Sequence, residues 1–363
     1  MGRRPPHRRL RAASWPAALL LVAGCTAPVG PTATPIAPGT LADRLNAALA
    51  ADSEDAFADG FSAQHDPSAD GRRWFRILRH ATVASIAQPD DHTLSVTSGE
   101  RGDAMPATVT LTVQRDATGR IRSVTAAHPP IWVLGPTDVT DAVHGTLFSA
   151  GLDEASRRQW ADRIDHAVDA VARFHPPGAD AWPGGLVVEI PADASAFAAR
   201  TGKDGVNASA VSTCDSGTPR IVVNPAVLGQ PAEWLDSTMV HEGVHVATRS
   251  PCRPSGQLAW AVEGLAESAA AASDPVAASR NRGLVLAYLR DHPVPRALPT
   301  DLDDLTGYAL AQVAVDQLRA RAGEASRDLL DRAGGDGGAV TANELRRVTG
   351  WYTAELERLR TSG

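Results

Sequence analysis

The segment His241-Glu242-Gly243-Val244-His245 constrains this chain more than any other. Two histidines four residues apart sit one turn apart on one face of a helix, close enough for both imidazoles to reach one metal ion. Glu242, next to the first histidine, then lies where it can take a proton from a water polarised by that ion. The segment is therefore expected to be a helix with one face open to a cleft. Gly243 costs such a helix about 1 kcal/mol relative to alanine, which makes sense where another backbone packs close.

A zinc site with an open position uses three protein ligands. The stretch Trp260-Ala261-Val262-Glu263-Gly264-Leu265-Ala266-Glu267 offers two carboxylates one helical turn apart. Spacing alone does not decide which of Glu263 and Glu267 would bind the ion. The pair of segments resembles the gluzincin (peptidase MA-like) metallopeptidases over roughly residues 185–310. The gap from His245 to Glu263 is a residue or two shorter than in the best-known members.

The resemblance implies zinc held by His241, His245 and Glu263, with Glu267 orienting a ligand histidine and Glu242 acting as general base in peptide-bond hydrolysis. It further implies an oxyanion donor, for which Tyr308 at the start of a later helix is the candidate and Arg249 and His292 are weaker ones. An edge strand above the cleft should pair with substrate backbone, and Pro219–Asn224 is its candidate. The alternative is a non-catalytic metal-binding or structural lipoprotein that retains the fold. The intact Glu242 argues against it.

The amino terminus is a separate matter. Arg3, Arg4, Arg8, Arg9 and Arg11 precede an apolar stretch from Ala17 to Ala23 that ends in Val22-Ala23-Gly24-Cys25. A basic start, a short apolar run and small residues before a cut read as a secretory signal over residues 1–24. The run is shorter than the ~20 residues a bilayer span needs. Small residues followed directly by cysteine resemble the bacterial lipobox, which implies a lipid on Cys25 and a chain anchored to the outer face of the cell membrane. Residues 25–40, rich in Pro, Thr, Ala and Gly, suit a solvated tether. With Cys25 so used, Cys214 and Cys252 remain, and in an oxidising compartment they are expected to pair.

The 363 residues suffice for about two domains. The formal charge of −7 argues against nucleic acid as the partner, since phosphate binding needs clustered Lys and Arg. Residues 41–130 read as a small α+β domain: a helix over 41–61, alternation of Val109, Leu111 and Val113 with threonines as a half-buried strand, a turn at Asp116–Gly119 and a return strand. A helix followed by an antiparallel meander loosely resembles the cystatin and NTF2-like superfolds. Residues 131–363 read as the functional domain. An amphipathic helix over 152–174 carries Trp160, Ile164, Val168 and Val171. Strands follow at 185–190 and 219–224, then helices at 231–248 and 257–272, and helices again from Asn281 on. The expected class is α+β, with a mixed sheet and a zincin-like helical C-terminal half.

Overall fold

The computed structural model describes residues 39–203, 208–253, 258–300, 302, 304–335 and 338–362. The signal peptide, Cys25 and all of the tether but its last two residues lie outside them. Three helices come first: α1 (Leu41–Ala50), α2 (Glu54–Ala58) and α3 (Gly71–His80). The expected single helix over 41–61 is broken because Asp52 takes a left-handed φ of 53° and Ser53 caps a new helix on the Ala56 amide. An antiparallel meander follows, β1 (Val83–Asp90), β2 (Thr93–Gly99), β3 (Ala107–Arg115) and β4 (Ile121–Thr125), paired in that order. Leu111 and Val113 of β3 face inward, as the alternation requires.

The short helix α4 (Ile131–Leu134) leads into the hairpin β5 (Asp138–Ala142) and β6 (Gly145–Ser149). The long helix α5 (Glu154–Phe174) crosses to β7 (Leu186–Ile190); α6 (Ala194–Thr201) precedes the hairpin β8 (Ala210–Asp215) and β9 (Thr218–Val223). These strands form one mixed sheet in the order β5-β6-β7-β9-β8, with β6, β7 and β9 parallel. The remainder is helical: α7 (Ala232–Thr248), α8 (Ala259–Ser273), α9 (Pro275–Asp291), α10 (Leu305–Ala322), α11 (Ala325–Ala333) and α12 (Ala342–Ser362). The fold is α+β with a helical C-terminal half. Among the described residues no helix is long and apolar enough to cross a membrane.

Every residue of β6, β7 and β9 is buried because both faces of the mixed sheet are covered. Leu186, Val188, Ile221 and Val223 point toward α5 and α7 and join one large core with Trp160, Ile164, Val168 and Val171. Val187 and Phe148 point the other way, into a second core built by α1–α3 and the meander. Ile131, Trp132 and Val133 belong to that second core as well, with Trp132 edge-on to Trp74 at 5.1 Å. From Gly39 onward the chain is one compact unit.

The same side of the mixed sheet carries charge. Arg200 of α6 forms a two-pronged pair with Glu189 of β7 (2.7 and 3.1 Å) and reaches Asp215 at the end of β8. Arg220 of β9 pairs with Asp103 from the loop after β2. Arg200, Arg220 and Glu189 are all nearly inaccessible, so each charge depends on its partner.

Candidate metal centre

Helix α7 is buried on almost every side, with Leu235, Met239, Val240, Val244, Val246 and Ala247 in the core. Gly243 explains part of this. A side chain there would press on Val171 of α5 at 3.0 Å and approach Leu186 of β7 at 3.6 Å. The close neighbours are thus side chains rather than the backbone expected from sequence. The helix ends where Arg249 turns left-handed, with φ 56°. The one polar face left open, bearing His241, Glu242 and His245, lines a cleft of about 720 Å³.

Helix α8 supplies the opposite side. Gly264 lets α10 approach so closely that a methyl group at that position would run into the Ala311 carbonyl. This sets Glu263 against the histidines. Its Oε2 lies 3.2 Å from His241 Nε2 and 3.2 Å from His245 Nε2, and the two Nε2 atoms are 3.1 Å apart. Among the described residues no other three His, Cys, Asp or Glu side chains converge in this way.

These three atoms fit a metal. Tetrahedral zinc with bonds of ~2.0–2.1 Å has ligand atoms roughly 3.3 Å apart, close to each edge of this triangle. The remaining ring nitrogens face partners. His245 Nδ1 is 3.0 Å from Ser250 Oγ, and His241 Nδ1 is 3.1 Å from Glu267 Oε1, although off the direction of a hydrogen bond. With the Nδ1 atoms protonated, two nitrogen lone pairs and a carboxylate oxygen point at one spot, an arrangement that calls for a cation. Burial pushes His241 down, but Glu263 and Glu267 outweigh it and raise the ring well above its ordinary pKa. Burial likewise pushes Glu263 up, and His245 and His241 more than offset it, holding the carboxyl below the usual range. Behind Glu267, Asn281 donates to Oε2 at 2.7 Å and to Gln312 at 2.8 Å, so the Glu267 carboxylate is itself fixed from α9 and α10.

Glu242 stands beside the triangle, with Oε2 accepting from Ser212 Oγ at 2.6 Å. Tyr308, in the first turn of α10, lines the same cleft, its ring 5.8 Å from that of His241. The two weaker oxyanion candidates point elsewhere. Arg249 donates to the Gly217 carbonyl, and His292 stacks on Tyr288 at 4.5 Å. His128, His144, His166 and His175 are exposed.

The edge strand differs from expectation. Pro219–Asn224 corresponds to β9, which is enclosed between β7 and β8. Among the described residues β8 is the edge strand on this side of the sheet, and its Ala210, Val211 and Ser212 line the cleft. The sequence reading missed β8 although a signal was present. Ser216 and Gly217 both take positive φ, 49° and 92°, in a two-residue turn of the kind that a Ser-Gly pair before an apolar strand announces. Ser212, Ser250 and Asn281 were also missed; isolated serines and asparagines carry no pattern.

The hairpin is tied down at several points. Cys214 and Cys252 form a disulfide between β8 and the turn after α7. Ser216 Oγ donates to the Thr108 carbonyl of β3 at 2.7 Å, and Thr218 Oγ1 to the Met105 carbonyl at 3.0 Å. No protein-family model matches the chain, and no curated protein matches it.

Proposed function

We propose that the protein is a zinc-dependent peptidase whose ligands are His241, His245 and Glu263. The observation that carries this reading is the triangle of ligand atoms with a carboxylate, Glu242, standing free of it and held by its own hydrogen bond. When bound, zinc supplies a Lewis acid that brings a water within reach of deprotonation near neutral pH. Glu242 accepts the proton of the attacking water and delivers it to the departing amine. The Tyr308 hydroxyl donates a hydrogen bond to the oxygen on which charge develops. The edge of β8 offers backbone groups with which an extended peptide can pair, the usual way a sheet edge takes such a ligand.

The same reading sets the enzyme outside the cytoplasm, anchored through a lipid on Cys25. The disulfide supports it, since such bonds persist in oxidising compartments.

The test has two arms. Metal analysis of the purified protein should find one zinc per chain, and a peptide library should be cut in a chelator-sensitive manner. Glu242→Gln should keep the zinc and lose about 10²–10⁴-fold in turnover, the usual worth of a general base. Zinc retained with undiminished cleavage in Glu242→Gln would overturn the mechanism. Absence of zinc from the wild-type protein would overturn the whole reading.

A further inference from the structure

Cys214 and Ser212 are two residues apart on β8 and so share one face of the strand. Cys252 and Ser250 are likewise two apart, in the single turn that follows α7. Ser212 Oγ holds Glu242 Oε2 at 2.6 Å, and Ser250 Oγ meets His245 Nδ1 at 3.0 Å. The disulfide therefore joins two short segments, one of which fixes the base and the other a ligand ring. We propose that Ser212 and Ser250 are positioning residues of the metal centre, and that the Cys214–Cys252 bond sets both.

The inference rests on the metal-site reading above. Ser212 occupies one carboxylate oxygen of Glu242, a residue that lines the cleft, and so restrains its rotamer. Ser250 accepts from His245 Nδ1, which selects the tautomer whose Nε2 carries the free lone pair. Neither serine lies on an element that α7 alone could hold. β8 is an edge strand with one neighbour, β9, and the turn at Ser250–Cys252 is a single 3-10 turn. The covalent bond relates them to each other, with the Arg249 hydrogen bond to the Gly217 carbonyl as a weaker tie between the same segments.

The full-length protein in detergent serves for the test. Zinc affinity is measured against a chromophoric chelator of known affinity, and turnover on a peptide that the wild type cleaves. Ser250→Ala should weaken zinc about 10–100-fold, the usual effect of losing a partner behind a ligand. Ser212→Ala should leave zinc affinity within about twofold and lower kcat by about 10-fold or more at unchanged KM, the pattern for an interaction used only in the chemical step. Ser212→Thr, which keeps the hydroxyl, should recover most of that loss. The double variant Cys214→Ser/Cys252→Ser should show both defects while keeping its far-ultraviolet circular dichroism. Where the double variant does not fold, the oxidised and phosphine-reduced wild type are compared in its place.

Unchanged zinc affinity in Ser250→Ala, no recovery in Ser212→Thr, or wild-type zinc binding and turnover without the disulfide would each overturn the inference. A wild type that binds zinc but cleaves nothing overturns the peptidase reading alone, and the zinc measurements on Ser250→Ala and on the disulfide variant still decide the inference. A wild type that binds no zinc overturns both.

Discussion

Arg220 Nη2 donates to Asp103 Oδ2 at 2.6 Å, and both side chains are almost wholly buried. The pair links β9, next to the cleft's edge strand, to the loop between the second and third strands of the meander. Removing one partner of such a pair leaves the other charge buried and uncompensated, which costs about 3–5 kcal/mol. Glu189, 4.0 Å from Arg220, retains part of the compensation and puts Asp103→Ala toward the lower end of that range. Asp103→Asn, which keeps an acceptor for Arg220 and for the Glu100 amide, should cost less than Asp103→Ala. Urea denaturation of the two variants checks this. A cost below about 1 kcal/mol for Asp103→Ala would show that water or Glu189 already serves Arg220.

The zinc reading assigns different roles to the two carboxylates of α8, and substitution separates them. Glu263→Ala leaves two histidines and should lose zinc on mild dialysis. Glu267→Ala removes the group behind His241 and should weaken zinc by about 10–100-fold. Asn281→Ala acts one step further back and should weaken it less than Glu267→Ala does. Chelator competition ranks the three. Loss of metal from Glu267→Ala with retention by Glu263→Ala would place the ligand one helical turn further on.

Gly264→Ala tests the packing that positions Glu263. The added methyl meets the Ala311 carbonyl and lies 2.8 Å from Val315 Cγ2, so α8 and α10 must separate. Overpacking of this kind typically costs about 1–3 kcal/mol. Because the displaced helix carries Glu263, zinc affinity should fall together with stability. A Gly264→Ala protein with wild-type melting and zinc affinity would mean that the helices part without disturbing the site.

The acid limb of stability offers a further measurement. Arg332 and Thr341 hydrogen-bond Glu344 and hold its carboxyl at about 2, against an ordinary value of 4.5. A depressed carboxyl stabilises the fold fully above the unfolded value and loses that contribution as pH falls from 4.5 toward 2. In Glu344→Gln the stability difference from wild type should therefore shrink across that window. Denaturant titrations at stepped pH report it, and a difference constant with pH would exclude Glu344 as the titrating group.

What the sequence made legible followed from periodicity and local chemistry. The α5 stripe of Trp160, Ile164, Val168 and Val171 reads directly as a buried helix face, and all four are in the core. His241, His245 and Glu263 stood out because a metal site would demand fixed spacing and residue types, and the structure brings the three side chains together. Which strand lay at the sheet edge was not legible. β9 is apolar and conspicuous, but strand order depends on pairings between distant segments, and β8, with Ser212, Thr213 and Cys214, reads as a polar loop. The burial of Arg200, Arg220 and Glu189 was equally hidden. Each looks like a surface charge until its partner, 11 to 117 residues away, is known.

The several ties on the β8–β9 hairpin have a consequence for any peptide that pairs with its β8 edge. A cleft wall anchored by a covalent bond, buried ions and contacts to the meander loses little freedom when a ligand arrives. The ordering entropy of the encounter then falls on the peptide. At equal contact area, a segment already extended, or held straight by proline or by its own neighbours, should bind more tightly than a freely coiling one.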